Sequence, residues 1–172
     1  MTCREPAKQE RTQINRALDR WGVFDFFKGK PLIIQIVGKI KAVCLVTDSL
    51  QKAVQITDPY LAGLAIGELK KQFMPSIAGA DLFVRYGKRN KFYVVVNKKA
   101  ENLFLYGRDI MGESIVEASE ALYQNDLVIV LNRRFEAIGI GRTRFASRLL
   151  FQKGKVTISN IADAGCYLRE EG

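Results

Sequence analysis

Between Arg133 and Lys155 the chain carries seven cations, Arg133, Arg134, Arg142, Arg144, Arg148, Lys153 and Lys155, against a single acid, Glu136. Just upstream, Glu101 to Asp126 holds six acids, Glu101, Asp109, Glu113, Glu117, Glu120 and Asp126, with Arg108 as the one base. The first stretch nets +6 and the second −5. Solubility alone would intersperse the two signs. Their separation predicts a small domain with one electropositive face, and the chemistry open to such a face is the neutralisation of phosphates. The bland alternative is a solvated strand edge kept soluble by Arg and Lys. The chain as a whole leans the same way, with 27 Lys and Arg against 18 Asp and Glu, a formal charge of +9.

Other chemistry is hard to build. The sequence has no histidine, which removes the usual general base and metal ligand and every Ser-His or Cys-His nucleophile. Cys3, Cys44 and Cys166 are odd in number and far apart, neither a disulfide framework nor a zinc site by spacing. Gly139 and Gly141 form a G-x-G, but Arg144 occupies the third glycine position, so a dinucleotide loop is not supported. The two glycines are read instead as allowing a close backbone approach. Glu113, Glu117 and Glu120 fall at helical spacing and read as a solvated helix face, and Asp58, Asp81 and Asp163 stand too isolated for paired acid and base work. No metal and no cofactor is expected. Tyr86, Tyr93, Tyr106, Phe145, Phe151 and Tyr167 lie near cations and could stack on unpaired bases, although most such rings pack inside. Phe145 is the best placed, among Arg142, Arg144 and Arg148.

The elements that must position these residues follow from periodicity. Ile14, Ala17, Leu18, Trp21 and Phe24 predict an amphipathic helix from Pro6 to Phe27, with Pro6 in its opening turn. Leu32 to Val37 and Ala42 to Thr47 predict a hairpin turning at Gly38 and Lys39, and Asp48 or Ser49 suits a helix N-cap. Pro59 to Glu68 reads as a kinked strand and Ala80 to Tyr86 as a short helix. Six bases and no acid between Arg85 and Lys99 surround a strand-like Phe92 to Val96 and mark a domain junction. Beyond it, Leu103 to Tyr106 is expected as a strand stopped by Gly107, and Asp109 to Ala118 as a short helix. Asp126 to Leu131 and Phe135 to Gly141 are expected as strands turning at Asn132 to Arg134, with a last strand from Lys155 to Ile158. Short strands at that frequency predict a small barrel-like β domain.

The 172 residues suit one domain or two small ones. No apolar run approaches the roughly 18 residues that span a bilayer, and the charged N-terminus does not read as a secretory signal. A cytosolic or nuclear setting without membrane contact is expected.

F-L-Y-G at Phe104 to Gly107, D-L-V-I-V at Asp126 to Val130, I-G-I-G at Ile138 to Gly141 and A-D-A-G-C-Y-L-R-E-E at Ala162 to Glu171 together resemble a PUA domain. More narrowly, the first and last of these resemble the Nip-seven family of large-ribosomal-subunit biogenesis factors, and G-L-A-I-G-E at Gly63 to Glu68 is similar more loosely. The resemblance implies an α/β (α+β) protein, with an N-terminal α/β domain over residues 1–90 as a protein-contact module and a C-terminal PUA-type β pseudobarrel over 91–172 that binds RNA. It implies a non-catalytic role in pre-rRNA processing and large-subunit assembly, a preference for single-stranded, uridine-rich RNA, and contact with the exosome or other assembly factors. Cys166 stands where the family usually has an acid, which bears on fine RNA specificity. With no extended nuclear-targeting tract, an archaeal-type cytoplasmic member is expected rather than a nucleolar one. The predicted RNA-binding residues are Arg142, Arg144, Arg148, Lys153 and Lys155 for phosphates, Gly107 and Gly141 for close approach, and Phe145 for stacking. Two rivals stay open at this point: a protein adaptor of RNA-processing complexes with incidental RNA affinity, and an RNA-modifying enzyme, for which the first half offers no catalytic constellation.

Overall fold

The computed structural model describes residues 2–56, 59, 62–87 and 92–169. The chain divides into two compact units, Met1–Lys88 and Arg89–Gly172. In the first, β1 (Thr2–Arg4), α1 (Lys8–Arg20), α2 (Phe24–Phe27), β2 (Leu32–Val37), β3 (Ile40–Leu45), α3 (Asp48–Ile56), β4 (Leu64–Leu69), β5 (Phe73–Pro75) and α4 (Ile77–Tyr86) follow in order. The strands form a five-stranded sheet in sequence order, and every pairing is antiparallel. Phe83 of α4 is fully buried, with its ring centroid about 6 Å from those of Trp21, Phe27 and Phe73.

The expected helix from Pro6 to Phe27 is two helices. Pro6 lies before the first, because Glu10 turns back to accept from the Ala7 backbone N–H at 3.0 Å and fixes the start there. The cap of α3 is Thr47 and not Asp48 or Ser49: its hydroxyl accepts from the Leu50 N–H at 3.3 Å. The expected strand from Pro59 to Glu68 is shorter, beginning at Leu64, and its residues 60 and 61 lie outside the described residues. The same is true of Lys88, Arg89 and Lys91 at the expected domain junction.

The second unit holds β6 (Tyr93–Val96), α5 (Lys98–Leu105), β7 (Ile110–Met111), β8 (Ile115–Ala118), β9 (Leu127–Leu131), β10 (Ala137–Thr143), β11 (Val156–Asp163) and α6 (Cys166–Arg169). The strand order is β7-β11-β10-β9-β6-β8, with β6 and β9 parallel and the other pairs antiparallel. The two edge strands, β7 and β8, are joined by a single 3-10 turn, Gly112–Ser114. Such a turn rises about 2 Å per residue, whereas the edges of a flat six-stranded sheet lie roughly 24 Å apart. The sheet must therefore curl until its edges meet, which makes it a nearly closed barrel. Val94 and Val96 of β6 and Val128 and Val130 of β9 fill its interior at alternate strand positions, joined by Ile138 of β10 and Ile158 of β11.

Two expectations fail here for one physical reason, the demand of that interior. Leu103 to Tyr106 is the end of a helix and not a strand. Asn97 caps α5 by accepting from the Ala100 N–H at 2.9 Å, and the four-residue spacing of Ala100 and Phe104 puts both side chains into the barrel. Asp109 to Ala118 is strand, 3-10 turn and strand. Ile110 and Ile115 enter the core from β7 and β8, so the helical spacing of Glu113, Glu117 and Glu120 has no helix under it. No helix among the described residues is long and apolar enough to cross a membrane.

Candidate nucleic-acid interface

Arg142 pairs across the β10–β11 ladder with Ser159, and Thr143 with Ile158. Thr143 and Ile158 are fully buried on the barrel side, so the two-residue alternation sends Arg142, Arg144 and Ser159 to the outer surface. The Arg144 Nε donates to Ser159 Oγ at 2.8 Å and its Nη2 meets Asp109 Oδ2 at 2.7 Å. Arg142 Nη1 donates to the Asn125 carbonyl at 3.0 Å and keeps no carboxylate partner among the described residues. Arg148 stands exposed on a 3-10 turn, Ser147–Leu149, and Lys153 and Lys155 are exposed on the loop that enters β11. None of these three has an ion-pair partner among the described residues. The Lys155 Nζ lies 5.9 Å from the centroid of the Phe145 ring.

The seven-cation run does not make one patch. Arg133 and Arg134 sit at the β9–β10 turn, and Arg142, Arg144, Arg148, Lys153 and Lys155 cluster at the far end of β10. The strand between them, Ala137–Thr143, spans about 20 Å. Two of the acids upstream are occupied locally. Glu113 Oε2 accepts from the Gly154 N–H at 3.0 Å, and Glu117 accepts from the Tyr93 hydroxyl at 2.5 Å, which pushes that phenol up to about 12.

Gly107 is exposed at φ +83°, where it ends α5, and a Cβ there would meet only the Arg169 guanidinium at 3.7 Å or more, so the backbone is open to a ligand. Gly141 is a correction: it is buried, and a Cβ would fall 2.4 Å from Ile158 Cγ2. Its bare backbone serves the packing of β10 on the core and offers no approach to RNA. Phe145 is half-buried: its ring packs in part against the barrel core, which leaves only part of it open to a base. Among the other rings, Tyr86 stacks on Phe26 with centroids 4.0 Å apart and Tyr93 is held by Glu117, whereas Tyr106 and Phe151 are exposed. The Tyr167 side chain lies outside the described residues.

The structure adds residues that charge counting passes over. Arg108, the lone base of the acidic stretch, stands exposed beside Gly107. Arg169 of α6 clasps Asp163 with Nη1 and Nη2, both at 3.0 Å, and also donates to the Leu105 carbonyl. Asn160 donates from Nδ2 to the Phe104 carbonyl at 2.9 Å. These contacts tie the α5–β7 turn to β11, so Gly107, Arg108 and the Asp109–Arg144 pair share one rigid frame. Among the described residues no group of three or more Cys, Asp and Glu is arranged to hold a metal ion.

Two family models match the chain: the NIP7/UPF0113 pre-PUA domain over residues 3–77 and the UPF0113 PUA domain over residues 92–172. A UPF0113 protein of Archaeoglobus fulgidus is 36% identical over 173 residues, 99% of this chain and 97% of that protein. The chain belongs to the NIP7/UPF0113 family. Its fold is shared by a conserved PUA domain protein from Thermoplasma acidophilum, with a TM-score of 0.71 at 18% identity over 99% of both chains. A hypothetical protein from Pyrococcus horikoshii is similar, with a TM-score of 0.72 at 16% identity over 94% of both chains. The UPF0113 PUA match covers every cation of the basic run and makes the curled sheet of the second unit a PUA domain, a class that implies RNA binding.

Proposed function

We propose that this NIP7/UPF0113 protein is a non-catalytic RNA-binding factor of ribosome biogenesis. Its PUA domain takes a single-stranded, uridine-rich stretch of pre-ribosomal RNA during processing and large-subunit assembly. Its pre-PUA unit docks an assembly factor or a subunit of the exosome. One observation carries the reading: Arg148, Lys153 and Lys155 cluster beside the β10–β11 ladder of a PUA domain, exposed and without carboxylate partners among the described residues.

Phosphate contacts of this kind give affinity and orientation, whereas base choice needs stacking or edge contacts. The open backbone at Gly107 and the exposed Arg108 beside it give a base room to reach polar groups. Titration of the full-length protein with uridine-rich and adenine-rich oligomers over a range of salt tests the reading. The triple variant R148A/K153A/K155A is expected to lower the log–log salt slope by about 2, at about 0.7 per phosphate contact on a single strand. Micromolar or weaker affinity, indifferent to base and unmoved by the triple variant, would replace it with the adaptor reading.

A further inference from the structure

The β9–β10 turn is built around an anomaly. Asn132 N–H donates to the Glu136 carbonyl at 3.1 Å and Phe135 N–H to the Asn132 carbonyl at 3.0 Å, closing a three-residue loop of Arg133, Arg134 and Phe135. The last position of such a loop is left-handed and is ordinarily glycine or asparagine. Here it is Phe135, at φ +60°.

The strain is borne by Asn132. That residue is buried, its Oδ1 accepts from the Arg134 and Glu136 N–H groups at 2.9 and 3.1 Å, and its Nδ2 donates to Glu136 Oε2 at 2.7 Å. The loop is therefore set by the backbone and by Asn132. That ring is 50% exposed and stands outside the residues packed on the barrel core. A bulky apolar side chain at a position that disfavours it, with half of its surface left open, presents a ring face to a ligand outside the molecule.

The charges around it name the partner. Arg133 and Arg134 are exposed and have no carboxylate partner among the described residues. The two nearby acids are engaged elsewhere: Glu136 accepts from Asn132 and Glu101 pairs with Lys98 at 3.0 Å. Lys98, Glu101, Asn132, Arg133, Arg134 and Glu136 line a hollow of about 230 Å³ at the same turn. A half-exposed ring preceded on the same turn by two exposed arginines supplies what an unpaired nucleotide needs, stacking for the base and cations for the backbone.

We propose that the β9–β10 hairpin tip is a second RNA contact, in which the Phe135 ring stacks on an unpaired base while Arg133 and Arg134 neutralise the adjoining phosphates. This rests on the RNA-binding reading and extends it, because the tip lies about 20 Å from the cluster at the far end of β10. The strand bound must then be long enough to reach both.

The test uses the full-length protein, a labelled uridine oligomer and fluorescence anisotropy, with a thermal melt of every variant. Phe135→Gly relieves the left-handed strain, so its melting temperature should stay level or rise while RNA affinity falls about ten-fold. Phe135→Trp should restore binding. Phe135→Asn, which also tolerates the backbone, repeats the measurement if glycine loosens the hairpin. Arg133→Ala with Arg134→Ala should lower the salt slope by about 1.4. Wild-type affinity in Phe135→Gly and Phe135→Asn overturns the proposal, and so does equal affinity of the wild type for a poly-glutamate peptide. If the wild type binds RNA and R148A/K153A/K155A weakens it while the hairpin variants do not, this inference alone falls. If the wild type does not bind RNA, both readings fall.

Discussion

Asp109 holds Arg144 at 2.7 Å through Oδ2 and at the same time accepts the Asn160 backbone N–H at 2.9 Å through Oδ1. One carboxylate thus fastens the turn after α5 to β11 and withdraws one cation of the basic cluster from outside partners. Asp109→Asn keeps an oxygen for Asn160 and releases Arg144. RNA affinity should rise up to about five-fold, because a half-exposed pair of this kind is worth at most about 1 kcal/mol. The salt slope should steepen by about 0.7. Anisotropy titrations at several salt concentrations check both. A variant with the wild-type slope would show that Arg144 does not face RNA even when released.

Much of this was legible before the structure, and the failures have particular causes. The hairpin of β2 and β3 and the strands β9 and β10 read correctly because their apolar runs agree with what the sheets bury. Phe104 and Leu105 read as strand by local preference, but the barrel needs Phe104 inside as a helical residue four after Ala100, and burial outweighs propensity. The basic run was visible as charge. Its division into two groups depends on the length of β10, and the withdrawal of Arg144 depends on Asp109, 35 residues upstream. Phe135 gave no signal by composition. Its turn sequence, N-R-R-F-E, shows its meaning only once the sign of φ is known.

Gly141 separates packing from binding. A methyl group there would meet Ile158 Cγ2 at 2.4 Å and Val130 Cγ2 at 3.2 Å, both in the barrel core. Overpacking of this kind costs about 1 to 3 kcal/mol. Gly141→Ala should lower the melting temperature and leave RNA affinity unchanged at temperatures where the variant is folded. Lost affinity with an unchanged melt would return Gly141 to the binding surface.

Arg169 and Asp163 should respond unequally to mutation. The Asp163 side chain is 5% exposed and that of Arg169 is 38% exposed. Removing the arginine leaves a buried carboxylate with Asn160 Nδ2 at 3.2 Å as its remaining polar contact among those described, and losses of about 3 kcal/mol are usual for such a break. Removing the charge of Asp163 instead leaves a guanidinium that water can reach. Arg169→Ala should therefore destabilise the protein more than Asp163→Asn in urea unfolding. Equal losses would place the value of the pair in hydrogen bonding alone.

Glu10 links pH to stability in the first unit. Its carboxylate accepts from Arg4 at 2.7 and 2.9 Å, from Lys41 at 2.9 Å and from the Ala7 N–H at 3.0 Å. The Arg4 hydrogen bonds lead in holding its pKa down to about 2, from an ordinary value of 4.5. A carboxyl group whose pKa falls on folding binds its proton more readily in the unfolded chain. The stabilisation is therefore complete above about 4.5 and drains away as pH falls toward 2. Glu10→Gln should cost about 1 to 2 kcal/mol at neutral pH, in line with hydrogen bonds to charged groups near the surface. The melting curves of variant and wild type should draw together between pH 4.5 and 2, because the wild-type carboxyl becomes neutral there as well. A difference that stayed constant across that window would mean that Glu10 acts by shape at the start of α1 and not by charge.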